Sequence, residues 1–415
     1  MNTNFRWPLP SATPESVGLS SERLARITPM VQRFVDDALV PGVITLVTRR
    51  DKVVHAQCFG MLDIEARRPM NFDALFRLFS MTKIVTCAAT LMLYEEGAFL
   101  LDDWASYYLP DLKSLQVEEV AADGSRKLVP PRRNITIHDL LTHLGGLSYD
   151  GVYDAYEKHQ TLAQWLPTFC ARPLLGHPGE TWRYSASIDI LARLIEVLSG
   201  KPFDEFLQQR IFAPLGMTDT GFFVPPDKRT RLATVYEPDT AGTLRPIDPK
   251  HGKSPYYTKP AFLSGGGGMI APNAQTDPPF AGGLVSSSSD YLSFAQMLMR
   301  GGTWGSARLL SPHTVRMMTS DHLPPGHPPM AHNKRRAGMG VSVLASTAET
   351  QMIGSVGEFG WGGAVCTQVW MDPKEEMVVQ IMLQCRPAQN APLGSLPLMR
   401  KFKVLAYQAI VESKA

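Results

Sequence analysis

The chain has 415 residues, with 41 Lys and Arg against 39 Asp and Glu, and a formal net charge of +2. This balance excludes a general electrostatic attraction to nucleic acid or to an anionic membrane surface. Hydrophobic residues make up 44% of the chain and charged residues 19%, which is typical of a packed globular protein. A chain of this length offers roughly two to three domains' worth of residues and needs no disulfide bonds or metals to form a core.

The first elements are predicted as a helix followed by two strands. Apolar residues recur at helical spacing over residues 24–35. Two β-rich runs follow, residues 43–47 and 53–58, and polar residues join them. The run 81–94 is apolar on nearly every side, which indicates a helix that is buried on most of its faces.

The middle of the chain carries further helical patterns, separated by Pro and Gly. One of them covers residues 188–198 and is followed by a glycine. Residues 241–285 are rich in Gly and Pro and include the glycine run 265–268. This loop is too long for a plain connection, so we expect it to be functional or mobile. In a second loop, residues 321–338, we expect the basic triplet Lys334-Arg335-Arg336 to form an exposed tip.

The chain ends with strands and a helix. Residues 364–371 and 377–384 are β-rich and are predicted to form a hairpin, and a final helix is predicted over residues 396–412. The whole pattern predicts an α+β protein, in which both termini supply one sheet with its flanking helices and the middle is an inserted, mainly helical domain. The predicted boundaries are a discontinuous α/β domain, residues 1–80 and 286–415, and a helical domain, residues 81–285.

The cysteines and the start of the chain favour a cytoplasmic location. The five cysteines are widely spaced and include no Cys-x-x-Cys pair, which argues against a disulfide framework and a zinc site. No basic stretch precedes an apolar one at the start, so we expect no secretory signal. No run of about 18 apolar residues predicts a membrane span. We expect no metal, no cofactor, and no nucleic-acid or membrane partner.

A candidate nucleophile lies at the start of the buried helix. Ser80-Met81-Thr82-Lys83 is a Ser-x-x-Lys tetrapeptide, although about one such match is expected by chance in a chain of this composition. Residues i and i+3 share a helix face, so Ser80 and Lys83 would lie side by side at a helix N-terminus. Burial is expected to lower the pKa of Lys83, which would then act as a base or as a cation beside Ser80. The alternative is a serine cap with an exposed lysine, which the apolar neighbours Ile84 and Val85 disfavour.

Competing hydrolase and metal signatures are missing from the sequence. Residues 340–344 lack the last glycine of a Gly-x-Ser-x-Gly elbow, which disfavours an α/β-hydrolase. No His-Glu-x-x-His is present, and the three histidines of loop 321–338 recur every fifth residue, unlike a metal pair on a helix face. We expect His138 and His143 to be buried hydrogen-bond partners rather than catalytic groups.

Four motifs in order resemble the serine β-lactamase and penicillin-binding-protein superfamily: LFSMTK, LLTHLGGLSY, PGETWRYS and FGWGGA. In pattern they are most similar to the class C β-lactamase-like carboxylesterases, the family VIII esterases, over nearly the whole chain. The resemblance implies a β-lactamase-like α+β fold with an antiparallel sheet flanked by helices. It also implies a serine hydrolase that cleaves short-chain carboxylic esters without a cofactor.

The resemblance also implies site residues. Ser80 looks like the acylated nucleophile, Lys83 like its partner, and Tyr184 like the tyrosine that moves the proton to the leaving alcohol and later activates water. The backbone N–H groups of Ser80 and Ala364 would bind the oxyanion. Because coupled groups titrate as a pair, either Lys83 or Tyr184 remains open as the formal base. The implied substrate-binding residues are Tyr149, Trp361, Gly362 and Gly363.

Two departures from the lactamase pattern favour neutral esters. Ala186 stands where lactamases have the Asn of Tyr-x-Asn, and Trp361 stands where they have the cation of Lys-Thr-Gly. Losing a charged pairing group at a binding site costs about 2–5 kcal/mol. Asp189 fits an esterase-like Tyr-Ser-x-x-x-Asp pattern, and we expect it to be structural. The alternatives are an acyltransferase to a small-molecule acceptor, a weak β-lactamase or DD-peptidase, and a binding protein that has kept the fold without catalysis.

Overall fold

The computed structural model describes residues 5–247, 255–267, 283–331, 333–386 and 397–413. Part of the predicted loop 241–285 and the first residue of the predicted C-terminal helix therefore lie outside the described residues. Within the described ranges, no helix combines the length and the apolar character needed to cross a bilayer.

An eight-stranded antiparallel sheet forms the centre of the fold. Its strands are β1 Gly42–Arg49, β2 Lys52–Asp63, β3 Arg68–Pro69, β4 Arg336–Ala337, β5 Ser342–Val343, β6 Phe359–Gly362, β7 Gln368–Asp372 and β8 Met377–Leu383. Their order across the sheet is β4-β5-β6-β7-β8-β1-β2-β3. Strand β1 therefore pairs with β8 on one edge and with β2 on the other. This sheet, built from both ends of the chain, confirms the predicted fold class.

Four two-stranded ribbons lie outside the sheet. They are Leu75–Arg77 with Val285–Ser287, Val117–Val120 with Arg126–Val129, Tyr236–Pro238 with Leu244–Pro246, and Thr303–Trp304 with Ala307–Arg308. The first of these ribbons leads directly into the segment that contains Ser80.

Five longer helices pack around the sheet or position the site: α1 Ile27–Asp36, α2 Thr82–Glu95, α3 Ser187–Ser199, α4 Ser288–Met299 and α5 Pro397–Tyr407. Helix α2 is buried from Thr82 to Leu93, which explains why its sequence is apolar on every side. Helix α3 ends at Gly200, whose φ of 67° is the left-handed C-cap conformation that glycine adopts without strain. The other α-helices are Ser21–Leu24, Ile137–Thr142, Val152–Glu157, Leu162–Cys170, Phe203–Leu207, Ala213–Leu215, Pro312–Met318 and Thr347–Thr350.

The sheet is covered on both faces, so its central strands β1 and β8 are buried along their whole length. Val43 and Val47 of β1 pack in one hydrophobic core with residues of α1 and α5. Ile44 and Leu46 of the same strand pack in a second core with residues of α2, α3 and α4. This alternation follows from the two-residue period of a strand. The second core runs without a break from the sheet into the helical middle of the chain, and the predicted division into two domains stays a prediction.

Two local predictions are wrong. The predicted strand 364–371 begins only at Gln368, because Gly363 to Thr367 form a tight turn in which the Gly363 N–H donates to the Thr367 carbonyl at 2.7 Å. Arg335 is not at an exposed loop tip. Its side chain is 8% exposed and pairs with the fully buried Glu358 at 2.9 Å, since a buried carboxylate requires a cation or hydrogen bonds.

Candidate active site

Ser80 lies in a strained turn between the ribbon strand Leu75–Arg77 and helix α2. The turn is a 3₁₀ helix, Phe79–Met81, and Phe79 has a φ of 46°, a conformation that bulky side chains rarely adopt. Leu284 holds the turn from both ends, because its carbonyl accepts from the Leu78 N–H at 2.8 Å and its N–H donates to Thr82 Oγ1 at 3.1 Å. These contacts place Ser80 at the N-terminal end of α2.

The three side chains Ser80, Lys83 and Tyr184 converge in the structure. The Tyr184 hydroxyl donates to Ser80 Oγ at 2.7 Å, and Lys83 Nζ lies 3.3 Å from the same oxygen. Lys83 Nζ also lies 4.5 Å from the centroid of the Tyr184 ring. A phenol and an ammonium group within hydrogen-bonding distance of a serine hydroxyl can activate that serine as a nucleophile.

Lys83 is buried, at 1% exposure, among oxygen atoms. Its Nζ donates to the Gly266 carbonyl and lies 3.3 Å from Tyr149 Oη. Burial acts to lower the pKa of Lys83, but interactions with the two tyrosines and with Asp189 outweigh it and raise the pKa above its usual value. This corrects the expectation that burial lowers the pKa of Lys83, and it leaves the group as a cation.

Aromatic rings fix the position of Tyr184. Its ring stacks against Tyr149, with centroids 5.5 Å apart, and against Trp361, with centroids 5.8 Å apart. His143 packs 5.0 Å from the same ring, and its Nδ1 lies 3.3 Å from Ser185 Oγ. Burial lowers the pKa of His143 to about 3. His143 is therefore the neutral, buried hydrogen-bond partner that the sequence predicted.

A cavity of about 450 Å³ opens beside Ser80 and Tyr184. The predicted residues Trp361, Gly362, Gly363 and Ala364 line it, whereas Tyr149 lies beside Lys83 instead. The sequence analysis did not assign the other wall residues to the site, and of these only Trp182 lies in a quoted motif: Trp182, Asn333, Arg335, Ser342, Thr350, Met352, Cys366, Gln368, Trp370, Met399 and Arg400.

The turn after β6 is shaped to face the nucleophile. A Cβ on Gly363 would lie 2.5 Å from the Leu78 carbonyl oxygen, so only glycine lets this turn approach the segment that carries Ser80. The Ala364 N–H forms no hydrogen bond with the described residues and lies at the cavity. It is thus available to a ligand oxygen.

The glycine run of the long loop packs against the same turn. A Cβ on Gly267 would lie 1.9 Å from the Phe79 carbonyl oxygen, and the Gly265 carbonyl accepts from Thr86 Oγ1 at 2.8 Å. The run was visible in the sequence, but its contact with the nucleophile segment was not. Among the residues described, no group of three His, Cys, Asp or Glu side chains is arranged to hold a metal ion.

This chain is similar to known proteins in sequence and in fold. The family model described as Beta-lactamase matches residues 27–395. Protein Rv1367c of Mycobacterium tuberculosis is 33% identical over 382 residues, which cover 86% of this chain and 89% of that protein. Esterase EstB of Burkholderia gladioli is 30% identical over 286 residues, covering 62% of this chain and 70% of that protein.

A solved structure matches nearly the whole chain. The structure of EstCE1, described as a hydrolase with promiscuous acyltransferase activity, superposes with a TM-score of 0.72 at 25% identity. The match covers 94% of this chain and 99% of that one.

Proposed function

Because this chain belongs to the beta-lactamase family, we propose that it is a serine hydrolase that cleaves short-chain carboxylic esters through an acyl-enzyme on Ser80. The esterase relatives support the reaction class. One observation carries the assignment of residues: the Tyr184 hydroxyl lies 2.7 Å from Ser80 Oγ, beside a buried lysine and at the edge of a cavity.

In the proposed acylation step, Tyr184 reacts as the phenolate after its own proton has passed to solvent. Ser80 Oγ then attacks the ester carbonyl carbon while the Ser80 proton passes to Tyr184 Oη. The raised pKa of Lys83 favours a role as the cation that balances negative charge on the Tyr184 oxygen. The Ser80 and Ala364 N–H groups donate to the tetrahedral oxyanion. When the carbon–oxygen bond of the ester breaks, Tyr184 returns the proton to the leaving alcohol.

The deacylation step uses the same groups in reverse order. Water enters from the cavity and loses a proton to Tyr184 as it attacks the acyl carbon. The second tetrahedral intermediate collapses, Ser80 Oγ leaves and regains its proton from Tyr184, and the carboxylic acid departs. No metal or cofactor takes part in either step.

Replacing Ser80 tests this function. Ser80→Ala is expected to lower the hydrolysis of p-nitrophenyl acetate at least a thousandfold, because no nucleophile remains. Ser199→Ala is the matched control, since Ser199 Oγ donates to the Ile195 carbonyl at 2.6 Å and accepts from the Lys201 N–H at 3.2 Å, both at the end of helix α3. An organophosphonate probe is expected to label Ser80, as read by mass spectrometry. Substantial turnover by Ser80→Ala, or a label on another residue, would show that the nucleophile is elsewhere.

Acyl transfer to a small-molecule alcohol or amine is the second candidate. The described activity of EstCE1 favours it, and the cavity of about 450 Å³ beside Ser80 leaves room for an acceptor. The same acyl-enzyme would serve both reactions. Incubating the protein with an acyl donor and a series of alcohols distinguishes them, because a transferase forms a new ester faster than the free acid.

Residual β-lactamase or peptidase activity is disfavoured. Trp361, which occupies the position of the lactamase cation, stacks on Tyr184 and lines the cavity, and the Arg335 charge is balanced by Glu358. We expect nitrocefin turnover to be far below ester turnover. Equal rates would show that the two departures, at Ala186 and Trp361, do not control the choice of substrate.

We also propose a cytoplasmic location and a centre of the family VIII type. Cys58, Cys87, Cys170 and Cys385 are free thiols, which is typical of a reducing compartment. Ser80 Oγ of the Ser-x-x-Lys tetrapeptide lies within 3.3 Å of both Lys83 Nζ and Tyr184 Oη, which supports the family VIII assignment.

A further inference from the structure

We propose that Asp189 is a positioning residue for Lys83 and acts through the peptide of Gly266. The inference rests on the proposed function, because Lys83 belongs to the proposed catalytic centre. Asp189 does not contact Ser80, so it takes no part in the bonds that form or break.

One glycine joins the two charged groups. Asp189 lies on α3 and is fully buried. Its Oδ1 accepts from the Gly266 N–H at 3.0 Å and from the Ser264 hydroxyl at 2.6 Å. The carbonyl of the same Gly266 accepts from Lys83 Nζ. The peptide groups of Gly266 therefore link the two charged side chains: its N–H donates to the Asp189 carboxylate, and its carbonyl accepts from the Lys83 ammonium group.

The loop segment next to Asp189 requires glycine at positions 265 and 266. A Cβ on Gly266 would lie 2.5 Å from Asp189 Oδ2, and a Cβ on Gly265 would lie 2.7 Å from the Ile188 carbonyl oxygen. Asp189 Oδ2 is buried and forms no hydrogen bond with the described residues. The close approach of backbone and carboxylate is therefore specific to this glycine pair.

The arrangement provides negative charge near Lys83 without a direct ion pair. Within the described chain, no carboxylate lies within 4.0 Å of Lys83 Nζ, although Asp189 interacts with it electrostatically. An ammonium group has three donors, and those of Lys83 point to the Gly266 carbonyl, Ser80 Oγ and Tyr149 Oη. A direct pair with a carboxylate would remove one donor from this set. The indirect contact keeps the ammonium beside Ser80.

Among the described residues, four other titratable side chains face Lys83, and none of them is a carboxylate: His143, Cys87, Tyr149 and Tyr184. Burial lowers the pKa of His143 to about 3 and raises that of Cys87, so both are neutral. Burial also raises the pKa of Tyr149. Tyr184 also faces Lys83, whose Nζ lies 4.5 Å from the centroid of the Tyr184 ring. Asp189 is the carboxylate in this group. Burial raises its pKa, whereas the hydrogen bonds from Ser264 and Gly266 and the charge of Lys83 act to lower it. In the proposal Asp189 is ionised and balances the lysine.

The test is Asp189→Asn, which keeps the size of the side chain and removes its charge. We expect kcat for p-nitrophenyl acetate to fall at least about tenfold while KM changes less than about threefold, because the reacting groups lose their alignment. Removing the anion also makes Lys83 easier to deprotonate. The alkaline limb of the profile of kcat/KM against pH is therefore expected to move down by about one pH unit.

The matched control is Asp290→Asn. Asp290 is also buried, and it likewise accepts from a backbone N–H, that of Asp219 at 2.7 Å, and from a hydroxyl, that of Thr220 at 2.9 Å. This variant is expected to lose stability and to keep the wild-type alkaline limb. Equal shifts in both variants, or a wild-type profile and kcat in Asp189→Asn, would overturn the proposal.

A second variant covers the case in which Asp189→Asn does not fold. Ser264→Ala keeps the carboxylate and removes one of its hydrogen bonds, so kcat is expected to fall while the alkaline limb stays in place. An unchanged kcat would overturn the proposal. Wild-type protein that neither cleaves esters nor takes a phosphonate label on Ser80 would instead refute the proposed function.

Discussion

Removing the phenol oxygen of Tyr184 isolates the proton-transfer step. Tyr184→Phe deletes the 2.7 Å hydrogen bond to Ser80 Oγ and leaves the ring in place. The ring is held by stacking on Tyr149 and Trp361, at centroid distances of 5.5 and 5.8 Å. We therefore expect the variant to fold and to keep the shape of the cavity.

The expected size of the loss follows from the role of the oxygen. General acid–base catalysis by a positioned side chain contributes about 10²–10⁴ in rate, and each tenfold corresponds to about 1.36 kcal/mol. Tyr184 would act in both acylation and deacylation. We therefore expect kcat/KM to fall at least about a hundredfold, or about 3–5 kcal/mol of lost transition-state stabilisation.

The assay is steady-state hydrolysis of p-nitrophenyl acetate, with the melting temperature measured on the same samples. Tyr149→Phe is the matched comparison, because its hydroxyl lies 3.3 Å from Lys83 Nζ and its ring stacks on Tyr184. We expect it to lose less activity than Tyr184→Phe. If Tyr184→Phe keeps more than about a tenth of the wild-type kcat/KM, Tyr184 is not the proton carrier and Lys83 is the base.

Two further predictions concern the scaffold. Gly267→Ala places a Cβ 1.9 Å from the Phe79 carbonyl oxygen at a φ of +95°, so we expect a loss of at least about 2 kcal/mol of stability and of most esterase activity. Gly176→Ala, whose Cβ meets nothing within 4 Å, should change the free energy of unfolding by less than about 0.5 kcal/mol; equal effects in urea denaturation would contradict this reasoning. Burial lowers the pKa of His55 from 6.5 to about 4, so His55 binds a proton more tightly in the unfolded chain than in the folded one. The free energy of unfolding therefore falls as the pH drops from 6.5 towards 4, by about 2 kcal/mol between pH 6.5 and 5. His55→Gln should flatten this dependence, and the same slope in wild type and variant would refute the assignment to His55.

The elements that follow from local pattern were predictable. Strands β1 and β2 were visible as the β-rich runs 43–47 and 53–58, whose apolar residues pack into cores on both faces of the sheet. Helix α2 was visible because it is buried nearly all round. The glycine that ends α3 was visible because its left-handed φ of 67° is a position that glycine fills without strain.

The features that depend on distant contacts were not predictable in this way. The raised pKa of Lys83 depends on oxygen atoms supplied by residues far away in the chain. Arg335 is buried because Glu358 lies beneath it, and Glu358 is also bound by Lys403 at 2.7 Å. The cavity walls come from segments between Trp182 and Arg400, and a single tryptophan or methionine carries no signal for such a role.

The pairing of β1 with β8 has a consequence for biosynthesis. Val43 lies opposite Leu383, so the central strand has an open edge until almost all of the 415 residues have left the ribosome. At about 5–20 residues per second, translation of the intervening segment takes on the order of half a minute. During that time an apolar edge strand is open to aggregation or chaperone binding. Esterase activity should therefore emerge only after β8 has left the ribosome, and nascent chains stalled before β8 should be inactive.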